Sequence, residues 1–289
     1  MLFGFIGVGN MGGPVARNLI RIGKDVIIFD VKEENVERCL AVGTNAKKAS
    51  SIAELSDCDY VFSCLPMPQH IESVILAENG LYDHMKKGAV HIDLSTLTPA
   101  LTKCMEDTAN AKGLGYIQCT QGKSPSDAEK AEQPMYVGGD DKVVNPIWED
   151  IFKRVSQPLR VANAEAATAI KLLGNMMAGV IISTVGEAIK TGEAVGMDAH
   201  DVVALLSASG CNSFQLGVRG PFMANRDFKN RFAVDLMLKD LRLGCEMAKN
   251  AGVELTLIED ARKCYEKAHD AGFGGEDSAA VYKVIEKRG

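Results

Sequence analysis

The sequence predicts an α/β fold in which a doubly wound parallel sheet is followed by an all-α domain. Short β-rich runs alternate with helical runs up to about residue 162, which is the pattern of such a sheet. Beyond Asn163 the strand-like runs stop, and no proline occurs from Ala164 to about Ala194. A helix of that length measures roughly 45 Å, so it can join two domains. We predict a sheet domain over residues 1–162 and a helical domain over residues 163–289.

The first predicted strand, Leu2–Ile6, leads directly into a glycine-rich loop. The loop runs from residue 7 to residue 12, and its candidate binding residues are Gly7, Gly9, Asn10, Met11 and Gly12. Apolar residues recur at helical spacing after it, so the loop lies between a strand and a helix. In that setting Gly7 permits a tight turn, Gly9 lets a pyrophosphate approach the backbone, and Gly12 lets helix pack on strand. The N–H groups of the helix N-terminus then bind the phosphates of a dinucleotide.

Asp30 ends the second predicted strand, Val26–Phe29. A carboxylate at this point accepts hydrogen bonds from both ribose hydroxyls and repels a 2′-phosphate, so we predict NAD as the cofactor. Lys32 is a nearby cation that would tolerate the phosphate, which keeps NADP as the less favoured alternative. The other interpretation of Asp30 is an ordinary surface residue at a strand end.

Further strands are predicted over four segments: Tyr60–Leu65, Ala89–Ile92, Tyr116–Cys119 and Met135–Val137. Ligands bind outside the carboxyl ends of strands in such sheets, which brings Leu65 and Pro66 towards the nucleotide. Ser95 and Thr96 follow the next strand, and one of these hydroxyls is expected to reach the ribose or the nicotinamide. The alternative for either hydroxyl is capping of the helix that begins near Pro99.

Composition and charge exclude several classes of protein. The net charge of −6 and the lack of a basic block argue against a nucleic-acid surface. No stretch approaches an uninterrupted membrane span, and the start of the chain does not resemble a signal peptide. The eight cysteines form no Cys-x-x-Cys motif, and no histidine pair has metal-ligand spacing. We expect reduced core thiols, no metal and a cytoplasmic protein.

Hydride transfer to or from a nicotinamide requires a proton donor beside the reacting carbon. The five histidines share no motif and are interpreted as surface or strand-end residues: His70, His84, His91, His200 and His269. Lys171 is the better candidate, because it interrupts the apolar first half of the long helix. Asn175 lies one turn later on the same face, so both side chains can point into one cleft. The alternative is a lysine whose amine only reaches solvent.

Five separated motifs, in order over essentially the whole chain, resemble the β-hydroxyacid dehydrogenase family. They are Phe5–Gly12, Asp93–Thr96, Lys171 with Asn175, Lys239–Leu241 and Gly272–Ala279. The resemblance implies that Lys171 is the catalytic lysine and that Asn175 orients the substrate. It also implies that Lys239 closes over cofactor and substrate, and that Asp240 supports this lysine. The expected activity is NAD-dependent interconversion of a short β-hydroxyacid and its semialdehyde, as in 3-hydroxyisobutyrate dehydrogenases.

One segment departs from the family pattern Asp-Ala-Pro-Val-Ser-Gly-Gly. The usual serine is Gly122 here, and the two following glycines are Lys123 and Ser124. A lysine and a hydroxyl add donors for a larger or second anion. The segment is similar to the Gly-Arg-Thr-Ser loop of sulfolactaldehyde reductases, so we expect a substrate that carries a sulfonate or two carboxylates. A plain surface lysine on a charged loop is the alternative.

Three other classes of protein fit the sequence less well. Decarboxylating dehydrogenases of the 6-phosphogluconate type need a larger helical domain. Imine reductases typically replace the lysine, and a non-catalytic NAD-binding module would not require Lys171, Asn175 and Lys239. The long helix is apolar on most sides, so we expect a homodimer or homotetramer.

Overall fold

The computed structural model describes residues 1–287. They divide into two compact units, Met1–Lys171 and the residues from Leu172 onward. The division falls inside the long helix, whereas the boundary predicted at residues 162 and 163 coincides with the start of that helix.

The first unit is built on one sheet with the strand order β3-β2-β1-β4-β5-β6-β7-β8. The strands are β1 (Leu2–Ile6), β2 (Asp25–Phe29), β3 (Ala46–Lys48), β4 (Tyr60–Ser63), β5 (Val90–Asp93), β6 (Gly115–Gln121), β7 (Pro134–Gly139) and β8 (Gln157–Arg160). Neighbouring strands are parallel except β6 and β7. The predicted doubly wound sheet is therefore confirmed. The edge strands β3 and β8 were not predicted, because their short polar sequences carry no apolar run.

Helices cover both faces of this sheet, and each face has its own apolar core. They are α1 (Gly12–Arg21), α2 (Glu33–Leu40), α3 (Pro68–Ile71), α4 (Leu81–His84), α5 (Pro99–Ala111), α6 (Pro125–Glu129), α7 (Asp141–Ile147) and α8 (Lys153–Val155). The rings of Phe5 and Phe62 stack at 5.4 Å between β1 and β4. These apolar contacts pack β1 and β4 into the core, and the loops predicted to bind ligand begin at the ends of these strands.

The second unit is helical in its described residues, apart from one isolated bridge between Ala233 and Asp277. Its helices are α9 (Ala164–Ala194), which begins in the first unit, α10 (Ala199–Ser207), α11 (Phe214–Ala224), α12 (Val234–Asn250), α13 (Leu257–Ala268) and α14 (Tyr282–Glu286). The predicted all-α domain and long helix are confirmed. Helix α11 was not predicted, because Gly217, Gly220 and Pro221 obscure its helical pattern.

Helix α9 corrects one expectation about membrane spans. The helix has 31 residues, and its most apolar 18-residue window reaches a mean hydropathy of 1.5, which suffices for a span by length and composition. The prediction that no stretch approaches a membrane span was therefore wrong, because this helix is both long enough and apolar enough for one. Half of that window is buried inside the protein, as in a core helix.

The cysteines are distributed differently from the expectation. No disulfide joins any of the eight, all of which lie within residues 1–287. Cys39, Cys58, Cys119 and Cys264 are buried as expected, but Cys104 and Cys211 are exposed. The prediction of core thiols was wrong for these two.

Candidate functional site

The glycine-rich loop and Asp30 meet at the carboxyl edge of the sheet. The backbone N–H of Val8 donates to one carboxylate oxygen of Asp30 at 2.8 Å, and the N–H of Lys32 donates to the other at 2.8 Å. Asp30 thus fixes the turn after β1 to the end of β2. The side-chain amide of Asn35 also donates to the second of these oxygens at 3.4 Å. Each carboxylate oxygen has two lone-pair directions, so the oxygen that accepts from Val8 keeps acceptor capacity for a ribose hydroxyl.

The three glycines of the loop are required for different reasons. A Cβ on Gly7 would lie 2.5 Å from the carbonyl oxygen of Cys64, and φ is +82° there. A Cβ on Gly12 would lie 2.1 Å from the carbonyl oxygen of Gly7. A Cβ on Gly9 would meet nothing within 4 Å. Packing within the protein therefore explains Gly7 and Gly12, whereas Gly9 leaves open space for a ligand against the backbone.

A groove of about 620 Å³ adjoins this loop. Its lining includes Val8, Gly9 and Asn10 of the loop, Pro14 of α1, and Asn35 and Arg38 of α2. This volume is in the range of small-molecule sites. The loop is therefore accessible from this side.

The loops after β4 and β5 are hydrogen-bonded to each other. Ser95 is 2% exposed, and its hydroxyl accepts from the N–H of Leu65 at 2.9 Å and donates to Asp93 Oδ1 at 2.7 Å. Thr98 is the N-cap of α5, and its hydroxyl accepts a hydrogen bond from the N–H of Leu101 at 3.2 Å. The capping role considered for Ser95 or Thr96 thus belongs to Thr98. Thr96 is half-buried and remains the more accessible hydroxyl of the pair.

A buried polar network lies behind these loops and was missed from the sequence. Its members are Ser63, Tyr82, His91, Asp93, Ser95 and Gln118, all of them buried. His91 lies inside β5 and is 0% exposed, so the expectation of a surface or strand-end histidine was wrong for it. Burial lowers the pKa of His91 to about 3, so its ring is neutral. Burial raises the pKa of Asp93, and hydrogen bonds from Ser63 and Ser95 oppose that shift.

The segment predicted to read the substrate follows β6. The N–H of Gly122 donates to the carbonyl oxygen of Pro134 at 2.9 Å, which continues the pairing with β7. Lys123 is exposed and has φ +57°, in the left-handed region. Ser124 is the N-cap of α6 and forms a capping box with Asp127. The structure therefore gives Ser124 a role in the helix cap. The exposed Lys123 ammonium group donates to the carbonyl oxygen of Glu132 at 3.3 Å.

The segment predicted to read the substrate is tied to α1. Glu129 of α6 forms ion pairs with Arg17 and Arg21 of α1. The side-chain amide of Asn18 also donates to the carbonyl oxygen of Ala128 at 2.8 Å. Because α1 begins at the glycine-rich loop, these contacts fix α6 and the residues before it relative to that loop.

A second polar cluster joins α9 and α12 in the helical unit. Asp240 is 1% exposed; one carboxylate oxygen accepts from the side-chain amide of Asn175, and the other lies 2.9 Å from Lys239 Nζ. The Lys239 side chain is only 12% exposed. Asp240 thus contacts both groups, and the supporting role predicted for Asp240 stays a prediction. Lys171 is half-buried and precedes Asn175 by one turn of α9.

Within residues 1–287, no three His, Cys, Asp or Glu side chains are grouped so that they could hold a metal ion.

Comparison with known proteins matches residues 2–285 to two family models. The model described as the NAD binding domain of 6-phosphogluconate dehydrogenase covers residues 2–170. The model described as NAD-binding of NADP-dependent 3-hydroxyisobutyrate dehydrogenase covers residues 166–285.

Individual relatives agree with these matches. A 2-(hydroxymethyl)glutarate dehydrogenase from Eubacterium barkeri is 30% identical over 289 residues, covering 98% of this chain and 94% of that protein. A 3-sulfolactaldehyde reductase from Escherichia coli K12 is 25% identical, covering 97% of this chain and 94% of that protein. The crystal structure of a 3-hydroxyisobutyrate dehydrogenase from Salmonella typhimurium superposes with a TM-score of 0.91 at 23% identity, covering 98% and 99% of the two chains. At that identity the structural similarity concerns the fold.

Proposed function

This chain belongs to the β-hydroxyacid dehydrogenase family of NAD(P)-binding oxidoreductases, and we propose that Lys171 is the general acid and base of its reaction. The family predicted from the five sequence motifs is confirmed. The observation that carries the proposal is the cluster of Asn175, Lys239 and Asp240, because Asn175 lies one turn from Lys171 on the same helix. A buried carboxylate that holds an amide and an ammonium group is a preorganised polar site.

The loop residues fit a dinucleotide. Gly9 leaves its backbone open, Asn10 and Met11 precede the N-terminus of α1, and Asp30 lies at the end of β2. Leu65, Pro66 and Thr96 are the proposed contacts from the next two loops, and Lys239 is the proposed contact from the helical unit. The bound nicotinamide supplies or accepts the hydride.

The chain's own residues supply proton transfer and orientation. In the reductive direction the Lys171 ammonium group donates a hydrogen bond to the carbonyl oxygen of the semialdehyde. It then transfers the proton as negative charge develops on that oxygen. In oxidation the neutral amine accepts the hydroxyl proton. Asn175, oriented by Asp240, fixes the substrate so that its oxygen faces Lys171.

We propose NAD as the preferred cofactor over NADP. Asp30 presents its carboxylate at the strand end, where a 2′-phosphate would meet negative charge. The ratio of kcat/KM for NADH and NADPH tests this preference directly. A higher value with NADPH would contradict it.

We propose a substrate with two anionic groups, or with a sulfonate. Lys123 supports this, because it is an exposed cation in the segment that the resemblance assigns to the substrate. Two relatives act, by their names, on a glutarate with two carboxylates and on a sulfonated aldehyde. Gly122 and Ser124 shape the segment through the β7 contact and the helix cap.

We propose a homodimer or homotetramer in which helix α9 is covered by a second copy. Ile170, Leu173 and Met177 are 38%, 47% and 64% exposed and follow one face of this helix. Size-exclusion chromatography with light scattering tests the assembly. A monomer at micromolar concentration would contradict it.

A kinetic screen with matched variants tests the catalytic proposal. The hydroxyacids 3-hydroxyisobutyrate and glycerate are assayed for oxidation with NAD⁺ or NADP⁺. The aldehydes, namely succinic semialdehyde, tartronate semialdehyde and sulfolactaldehyde, are assayed for reduction with NADH or NADPH. Lys171→Ala should lower kcat about 10³-fold while cofactor binding is kept. Lys190→Ala removes a lysine from the same helix and should leave kcat unchanged. Full activity of Lys171→Ala would refute the assignment, and absence of turnover by the native chain with every substrate would favour a non-catalytic module.

A further inference from the structure

A continuous chain of hydrogen bonds runs through the interior of the first unit. The Tyr82 hydroxyl lies 2.9 Å from His91 Nδ1, and His91 Nε2 lies 2.8 Å from the Ser63 hydroxyl. Ser63 donates to Asp93 Oδ1 at 2.6 Å, and Ser95 donates to the same oxygen at 2.7 Å. The N–H of Leu65 then donates to the Ser95 hydroxyl at 2.9 Å.

The donors along this chain are fixed in direction. Oδ1 of Asp93 faces three donors: the Ser63 hydroxyl and the hydroxyl and N–H of Ser95. Because Ser63 donates its only proton to Asp93, it accepts from His91 Nε2. The neutral ring then accepts from Tyr82 at Nδ1. Every hydroxyl of the chain therefore has one orientation, and the Ser95 proton points inward.

The chain connects the ends of neighbouring strands. Ser63 and Asp93 are paired residues in the register of β4 and β5, and each is the last residue of its strand. Gln118 of β6 adds a third strand, because its amide donates to the carbonyl oxygens of Asp93 and Ser95 at 3.1 and 3.0 Å. The loops that contain Leu65–Pro66 and Ser95–Thr96 begin directly after these ends. The network thus sets where both loops start.

Most of the network is out of reach of any ligand. Ser63, His91 and Asp93 are 0% exposed, and Tyr82 is 3% exposed. Ser95 is 2% exposed and already uses its hydroxyl both as donor and as acceptor. An effect of these residues on ligand binding must therefore pass through the loops that they hold.

We propose that Asp93, oriented by Ser63 and His91, is a positioning residue that holds the Leu65–Pro66 and Ser95–Thr96 loops in the geometry that binds the cofactor. Ser95 acts inside this network as the link between the two loops, and Thr96 is the hydroxyl that meets the ligand. This revises the expectation that the Ser95 hydroxyl itself reaches a ligand. The inference rests on the proposed function only in assigning these two loops to the cofactor.

A double-mutant cycle on cofactor affinity tests the proposal. Ser63→Ala, Ser95→Ala and the double variant are compared by fluorescence titration with NADH and NADPH, without turnover. Each single variant should raise the cofactor Kd about tenfold, and the double variant should raise it no further, because either change breaks the same chain. The control is Ser156→Ala, which removes a buried serine hydroxyl that donates to the carbonyl oxygen of Phe152 at 2.8 Å. It should lower Tm by a similar amount and leave Kd unchanged.

Two outcomes would overturn the proposal. An unchanged Kd for Ser63→Ala, with a raised substrate KM for Ser95→Ala alone, would mean that Ser95 contacts the substrate directly. Additive effects on Kd would mean that the two serines act independently. If Ser63→Ala does not fold, Tyr82→Phe replaces it, because this variant removes the hydroxyl at the far end of the same hydrogen-bond chain. Tyr82→Phe should raise the cofactor Kd about threefold. An unchanged Kd in Tyr82→Phe would count against the proposal. The cofactor Kd is measured without turnover, so this test stays valid even if Lys171 is not the catalytic residue.

Discussion

The two polar regions of this molecule are constructed in different ways. At the carboxyl edge of the sheet, backbone N–H groups, an open glycine and buried hydroxyls form the proposed cofactor site. In the helical unit, three side chains from α9 and α12 form the second region, with Asp240 at its centre. The sheet region draws on many backbone groups, whereas the helical region depends on single side chains.

This difference predicts how each region responds to substitution. A region constructed from backbone groups tolerates most side-chain changes but is sensitive to an added Cβ where the chain must stay open. A region centred on one buried carboxylate is lost when that carboxylate is removed, because its partners stay buried without the acceptor. The effects below are ordered from the largest to the smallest.

Asp240→Ala tests the dependence on one side chain. Removal of the carboxylate takes the shared acceptor from Asn175 and Lys239, so we expect kcat/KM to fall about 100-fold through lost orientation. The free energy of unfolding should fall by about 3 kcal/mol. The matched control is Asp235→Ala, an exposed carboxylate on the same helix that contacts His269, and it should leave kcat/KM near the native value. If Asp240→Ala kept the native kcat/KM, the cluster of Asn175, Lys239 and Asp240 would have a structural role only.

Gly9→Ala and Gly12→Ala separate ligand contact from packing in the sheet region. Gly9→Ala meets no protein atom, so Tm should be unchanged while the NADH Kd rises at least about tenfold. Gly12→Ala places its Cβ 2.1 Å from a backbone oxygen and should cost about 3 kcal/mol of folding free energy. Urea unfolding and NADH titration measure the two quantities. Equal losses of stability would show that Gly9 is also a packing residue.

The parts that the sequence predicted are those with a local pattern. The glycine loop between β1 and α1 and the 31-residue α9 are each readable from contiguous residues, and both were confirmed. Asn175 was predicted from its position one turn after Lys171, whereas Lys239 and Asp240 entered through resemblance. The structure adds that all three are in contact through Asp240. Their catalytic and binding roles stay predictions.

The parts that were missed depend on pairing between distant residues. Ser63 and Asp93 become neighbours only through the register of β4 and β5, which no local pattern encodes. One signal was present: His91 and Asp93 are polar residues two apart in an otherwise apolar strand, so they share a face. The cap of α5 was placed two or three residues early for a related reason, because Ser95, Thr96 and Thr98 are all suitable capping types.

Lys123→Gly tests an exposed side chain that adds charge to the sheet region. Glycine tolerates φ +57°, so stability should rise by about 1 kcal/mol. We expect kcat/KM for a dicarboxylic or sulfonated substrate to fall about tenfold, and kcat/KM for 3-hydroxyisobutyrate to change little. Lys130→Ala removes an exposed lysine nearby and is the charge-matched control. An equal loss with every substrate would indicate that Lys123 acts on the loop and not on the second anion.

The last prediction concerns the pH dependence of the buried network. His91 has a pKa of about 3 when folded and about 6.5 when unfolded. Between these values the unfolded chain binds a proton that the folded chain does not, so stability falls as pH falls. From pH 7.5 to 5.5 this costs about 1.4 kcal/mol for His91. The raised pKa of Asp93 changes stability in the opposite direction. It is present in the native chain and in the His91→Gln variant, so it cancels when the two are compared.

His91→Gln removes this titrating group while a polar side chain is kept beside Ser63 and Tyr82. The variant should be less stable than the native chain at pH 7.5, because the bonds to both hydroxyls are altered. Its loss of stability between pH 7.5 and 5.5, measured by urea unfolding at each pH, should be smaller than the native loss by about 1.4 kcal/mol. Equal losses in the two proteins would show that His91 takes up a proton in the folded state. The ring would then donate from both nitrogens, and the single hydrogen-bond direction inferred for the network would be wrong.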